Sequence, residues 1–263
     1  TFVYFALQNM PYRRAWLLAA GWYFYAAWKP EFLILLIVST ITDYFVGLRL
    51  YKSKKSHLRL FWLLLSLTVN FGILFAFKYF LFLDYNLIRF LGLDLIRTQG
   101  SSFENLLLPV GISFYTFQTV SYTIDVFRRK KTAESNFVKF ALFVSFFPQL
   151  VAGPIERASQ LLPQFEKKVR VNYSRIASGL KLMLWGYFQK LVIADNMAPL
   201  TDAVYSDPNN YYGLDVVLAT FFFSVQIFCD FSGYTDIARG AARVMGFELR
   251  LNFRRPYFAK SVA

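Results

Sequence analysis

The sequence predicts an all-α, polytopic integral membrane protein, a helical bundle with re-entrant or interfacial segments. Three observations carry that expectation. Of the 263 residues, 56% are hydrophobic and only 17% are charged, whereas a soluble domain carries about 25% charged residues. Charge-free runs recur along the chain, some of them reaching the ~18–20 residues that cross a bilayer as a helix. The basic residues stand in short clusters between those runs, as they do in the cytoplasmic loops of membrane proteins.

The 31 Phe and 17 Tyr suit aromatic-rich membrane interfaces. A net charge of +13 could signal nucleic acid. The cations are not gathered on one soluble face, however, so nucleic acid is excluded as a partner, and anionic lipid headgroups are the expected counter-charge. Cys229 is the single cysteine and lies in an apolar run. That excludes an intrachain disulfide framework and a multi-cysteine zinc site, and leaves an inert buried thiol.

Thr1–Leu7 reads as the tail of a helix. Arg13 and Arg14 flank the next run, Ala15–Trp28, and Lys29–Glu31 make a turn. Phe32–Leu48 is apolar apart from Thr and Ser residues and one carboxylate, Asp43, and the basic loop Arg49–Arg59 follows. Leu60–Phe77 is charge-free, with Lys78 close enough to its end to snorkel. Asp84–Glu104 is mixed in charge, and Tyr85–Ile96 within it could lie flat as an amphipathic helix. Asn105–Ile124 is charge-free and of spanning length, ends at Asp125, and carries small and hydroxyl residues that favour close helix approach. Phe140–Ile155 is short and interrupted by Pro148, Gly153 and Pro154. Asn172–Ala198 alternates apolar residues with Arg175, Lys181, Lys190 and Asp195. Asp202–Asp215 reads as an acidic loop before the final apolar run.

With Arg13 and Arg14 in the cytoplasm, the lysine and arginine bias puts 29–31 outside, 49–59 inside, 84–104 outside and Arg128–Lys131 inside. The basic stretch 156–181 then requires 137–154 to be re-entrant, dipping in and returning to the cytoplasm. Irregular backbone at membrane depth is tolerated where protein or a wet cavity covers it. The helix around 176–198 exits, 202–215 lies outside, and the last helix returns Arg239–Lys260 to the cytoplasm.

Gln226–Arg255 organises the chemistry. On a helix, Asp230 and Tyr234 share one face, while Ser232, Asp236, Arg239 and Arg243 share another. Carboxylates at membrane depth usually face a protein interior or a wet cavity. They mark either a functional path or an Asp–Arg pair that locks helices together, and both readings stay open at this stage. His57, the only histidine, sits among Lys54, Lys55 and Arg59 and reads as a solvated loop residue. There is no P-loop, no GxGxxG word and no metal-ligand cluster. Gln149 with Gly153-Pro154 reads as a backbone bend, and Asn252, Arg254, Arg255 and Pro256 as a basic flank. The residues alone permit an enzyme or a transporter.

Five stretches resemble the membrane-bound O-acyltransferase family, in its alginate O-acetyltransferase-like branch. They are RRAWLLAAGWYFYAAWKPEF, LPVGISFYTFQTVSYTIDVFRR, FFPQLVAGPIERASQLLPQF, GYFQKLVIADN and QIFCDFSGYTDIARGAARVMGFELRLNFRRPYFAKS. The resemblance implies one domain over 1–263 with helices around a funnel, in the bacterial inner membrane. It implies transfer of an acyl group, expected to be acetyl, to hydroxyls of an exported polysaccharide such as alginate. The donor would be acetyl-CoA or an acylated partner, with no bound cofactor or metal. Membrane lipids, the polysaccharide acceptor and periplasmic or membrane acetylation proteins would be partners. Asp230, Ser232, Tyr234 and Asp236 would line or brace the funnel, with Gln118, Gln149 and Asn252 as polar wall residues. The sequence starts at Thr1 inside an apolar stretch and stops at Ala263 without a terminating signal, so it is expected to be a piece truncated at both ends. The family's catalytic histidine follows the segment matching Tyr257–Ala263, so the resemblance implies no catalytic residue within this sequence. A transporter or a non-catalytic scaffold of a secretion complex is the alternative.

Overall fold

The structure, a computed structural model, describes residues 2–7, 9–79, 109–150, 153–252 and 256–261. Among them there are helices and turns but no strand. In chain order the helices are α1 (Phe2–Ala6), α2 (Met10–Ala26), α3 (Pro30–Lys52), α4 (Ser56–Leu74), α5 (Ile112–Phe127), α6 (Phe137–Val144), α7 (Phe147–Leu150), α8 (Ala158–Leu161), α9 (Tyr173–Tyr187), α10 (Asp195–Ser206) and α11 (Leu214–Met245). A wide π turn extends α4 through Phe75–Tyr79, and another, Phe188–Ala194, joins α9 to α10. Among the described residues, three helices are long and apolar enough to cross a membrane: Pro30–Lys52, Ser56–Tyr79 and Leu214–Met245. This is an all-α membrane protein. At 1.5 Å per residue α11 is about 48 Å long, against a hydrocarbon core of ~30 Å.

The chain divides into two compact units. One comprises Asn9–Val151 with Arg157–Glu166, and the other Thr1–Gln8, Ala152–Glu156 and Lys167–Ala263. In the first, α2 to α5 alternate in direction. Tyr25 at the end of α2 donates to the carbonyl of Val110 just before α5 (2.9 Å), while Arg59 near the start of α4 donates to Leu50 O near the end of α3 (2.8 Å). Its core is aromatic: Tyr122, Phe140, Phe143 and Phe146 are all fully buried, and the Tyr122 and Phe140 rings lie 4.8 Å apart. Large apolar side chains such as Ile34, Phe45, Phe61 and Leu64 point outward, while Asp43, Ser66, Asn70 and Thr123 are buried. Polar groups inside and apolar ones outside is the arrangement that lipid favours.

Three expected boundaries move. Among the described residues of the run from Asn105, the helix starts at Ile112, after a turn in which Gly111 takes φ +74°. That helix passes Asp125 and ends at Phe127; residues 105–108 lie outside the described residues, as does Tyr85–Ile96. The apolar segment has a break at Ser145 that its composition does not mark: α6 ends at Val144, and Pro148 sits in the first turn of α7, where its missing N–H costs nothing, while the expected interruption at Gly153 and Pro154 is non-helical as expected. Asp202 lies inside α10, so the loop that follows is only 207–213.

Candidate functional site

The polar stretch on α11 sits in the second unit, packed against α9 and the π turn that follows it. Four glycines set that packing. Gly179 and Gly186 on α9 are seven residues apart, as are Gly233 and Gly240 on α11, so each pair lies on one stripe. A Cβ at Gly186 would come 2.6 Å from the Gly233 carbonyl oxygen, and one at Gly240 would come 2.6 Å from that of Gly179. The backbones are therefore in contact, as small-residue stripes allow in membranes. This close approach brings Gln189 and Lys190 to the carboxylates of α11.

Lys190 Nζ lies 2.8 Å from Asp230 Oδ1 and 2.6 Å from Asp195 Oδ1, and 5.4 Å from the centre of the Tyr234 ring. The face that Asp230 and Tyr234 share is thus organised by one ammonium. Asp236, 8% exposed, accepts from Arg239 Nη1 (2.8 Å) and from Gln189 Nε2 (3.1 Å). Arg243 turns away to Ser178 Oγ (3.1 Å) and Glu248 (3.3 Å), and Ser232 is half-buried on the same helix. Both carboxylates face a cation, and both are tied across to the π turn between α9 and α10. Lys190 and Gln189 were not singled out from sequence. The signal was present in Asp230 itself, since an intramembrane carboxylate calls for a partner and Lys190 stands in an otherwise apolar stretch.

The other expected residues fall elsewhere. Gln118 and Gln149 belong to the first unit, and both donate to one acceptor, the Phe143 carbonyl left open where α6 ends (2.8 and 3.2 Å). They secure the helix break, and Oε1 of Gln149 is buried without a partner. Asn252 is exposed in the second unit, and His57 is exposed at the start of α4. No cluster of three or more His, Cys, Asp or Glu suited to a metal occurs among the described residues.

A second polar cluster lies in the first unit and was read from sequence only as a lone carboxylate. Asp43, fully buried, accepts from Ser66 Oγ, from Asn70 Nδ2 (2.8 Å) and from Thr123 Oγ1 (3.4 Å). Ser39 in turn donates to Asn70 Oδ1 (2.5 Å). Three helices, α3 to α5, meet through these groups, and a buried network this well satisfied rigidifies its surroundings. In the second unit Glu156, 1% exposed, accepts the Arg250 N–H through Oε1 while Oε2 has no partner. Burial pushes its carboxyl above the usual range, and the Arg250 N–H and charge oppose that only in part.

The chain is 34% identical over 98% of its length to a peptidoglycan O-acetyltransferase of Helicobacter pylori, of which it covers 54%. It is 36% identical over 97% of its length to a "probable alginate O-acetylase" of Pseudomonas aeruginosa, covering 49% of that protein. Over nearly its whole length the chain is similar to proteins named for O-acetyl transfer. It spans about half the length of the curated relatives it matches, and no family model matches it. A teichoic acid D-alanyltransferase of Bacillus subtilis is 26% identical over 60% of the chain. Likeness to the O-acetylating relatives therefore runs over nearly the whole O-acyltransferase-like chain, and likeness to the D-alanylating one over part of it.

Proposed function

We propose that this chain is part of a multi-pass bacterial inner-membrane enzyme that transfers an acetyl group to a hydroxyl of an exported polysaccharide such as alginate. The observation that carries the reading is similarity over 97–98% of the chain to proteins named for O-acetyl transfer. The donor is acetyl-CoA or an acylated partner protein, and further acetylation proteins at the membrane or in the periplasm complete the route. The general base on the acceptor hydroxyl is the histidine that the family resemblance implies, which follows the segment matching Tyr257–Ala263.

Asp230 and Asp236 act in this reading as braces. A general base must be free to take a proton from its substrate, and each of these carboxylates is already held by a cation. Tyr234, 40% exposed beside Lys190, is the side chain of the set best placed to touch an acceptor. Gln118 and Gln149 act as supports of the α6 break. A transporter or scaffold is the less favoured account, because the relatives are named for transfer chemistry.

The test is deletion and complementation of the full-length gene in its host, with O-acetyl groups per sugar and polymer yield measured together. Acetylation should vanish while polymer export continues. Asp236→Asn should lower protein level and acetylation in step, as expected of a brace. Normal acetylation in the deletion strain would sink the reading, and loss of export with unchanged acetylation would point to transport.

A further inference from the structure

The two basic runs that the charge pattern assigns to the cytoplasm, around 49–59 and 128–131, meet at one end of the first unit. They enclose a cavity of about 390 Å³ whose lining includes Lys52, Lys54, Arg59, Arg129 and Lys131 and no carboxylate. That volume lies within the ~300–1,000 Å³ of small-molecule sites. The ion pairs among the described residues occupy other cations, namely Lys139, Lys190, Arg239 and Arg243. Five like charges around one cavity repel one another, and no carboxylate stands in the cavity wall among them.

Two of the five are set by the fold, Arg59 through its side chain and Arg129 through its backbone. Arg59 is 7% exposed and donates to Leu50 O (2.8 Å), Val126 O (3.4 Å) and Phe127 O, so its guanidinium is clamped between the ends of α3 and α5. Arg129 has φ +57°, alone among the described non-glycine residues in being positive. It occupies the left-handed position of the α5 ending, where its N–H bonds Val126 O (3.0 Å) and that of Lys130 bonds Asp125 O (2.9 Å). Glycine is the usual occupant of that position. An arginine there strains the backbone and sets a charge on the cavity wall, and strained residues cluster at ligand clamps. Burial pushes the Lys131 ammonium down, and the nearby charges of Glu134 and Asp125 offset this only in part. Glu134 is engaged by Lys139 (2.7 Å).

We propose that this cavity binds a phosphate-bearing anion at the cytoplasmic membrane surface, either the headgroup of an anionic phospholipid or a soluble phosphate compound. Basic pockets between membrane helices on the cytoplasmic side suit such headgroups. Exposed Tyr51 in the cavity wall offers apolar surface for an acyl chain, and Leu58 and Phe61 are exposed on the same helix as Arg59, which favours the lipid. The site is independent of the acyl-transfer reading.

The test is native mass spectrometry of the purified full-length protein with phosphatidylglycerol or phosphatidylcholine, alongside thermal midpoints in detergent with and without inorganic pyrophosphate. The parent should retain phosphatidylglycerol preferentially, and Lys54→Gln/Lys131→Gln should weaken retention by about fivefold for each charge removed. Lys54→Arg/Lys131→Arg should keep it. Arg129→Gly removes a charge and relaxes the backbone, so retention should fall while the anion-free midpoint stays level or rises. A pyrophosphate shift seen in the parent and lost in the Gln variant would assign a soluble phosphate, and its absence, with lipid retention, the headgroup. The proposal is overturned if parent and Gln variant respond alike to both anions, or if Arg129→Gly lowers the midpoint and leaves retention unchanged.

Discussion

Lys190 bridges two carboxylates that stand 35 residues apart in sequence, Asp195 and Asp230. Replacing it with Met leaves both without their counter-charge at membrane depth. The cost should be about 1–2 kcal/mol, between the limits for exposed and buried pairs, because the group is only partly buried. Lys190→Met/Asp230→Leu should recover part of that loss in a thermal melt, and no recovery would mean that the two side chains do not act as a pair. Glu156 gives a prediction with a sign. Its carboxyl is raised above the ordinary value of 4.5 by burial. The folded state therefore holds a proton that the unfolded state has released, and stability falls as pH rises through that window. Glu156→Gln keeps an acceptor for the Arg250 N–H and removes the charge. Its melting temperature should gain on the parent as pH climbs from about 4.5, then run parallel to it above the folded pKa. A constant difference across pH would show that the group is not linked to folding. At this scale sequence places residues on one helix well: the spacing puts Asp236 and Arg239 on one face, and the two pair there within the helix, not between helices. It reads partners on other helices poorly. Neither Lys190 with Asp230 nor Asp43 with Ser66, Asn70 and Thr123 follows from local spacing.

At the scale of elements, the crossing of α9 and α11 rests on glycines that a propensity argument would count as weaknesses. The same substitution should therefore have opposite signs at two places. Gly186→Ala puts a Cβ 2.6 Å from the Gly233 carbonyl oxygen and should destabilise by about 1–3 kcal/mol as the helices are pushed apart. Gly72→Ala on α4 meets nothing within 4 Å and should be neutral or gain up to ~1 kcal/mol from lost chain freedom. Equal melts for the two variants would contradict the close crossing. The interrupted apolar segment was legible in its composition, but the position of its break was not. Trp22 donates to Ser145 Oγ (3.1 Å), and the two glutamines converge on Phe143 O from elsewhere in the chain. The Ser145 break is held by tertiary contacts that no local residue signals, whereas Gly153 and Pro154 mark non-helical chain directly.

For the whole molecule, the charge pattern and the structure agree on the polarity of the first unit. The ends of α3 and α5 and the start of α4 gather Lys52, Lys54, Lys55, Arg59 and Arg128–Lys131 at one end. The opposite end carries the α2–α3 turn and the start of α5, joined by the Tyr25–Val110 hydrogen bond. Positive residues in short loops stay on the cytoplasmic side, so the two ends must differ in chemical access. In a Cys229→Ala background, cysteines at Ser53 and Thr132 should react with a membrane-impermeant maleimide only after the membrane is opened. Cysteines at Glu31 and Asn209 should react in intact cells. Asn209 tests the second unit separately, because it lies in the loop before α11. If Ser53 and Glu31 label from the same side, α3 does not cross the membrane, whatever its length and apolarity. If both label from sides opposite to those expected, the orientation is inverted, and the basic cavity would face away from the cytoplasmic anions it is proposed to bind.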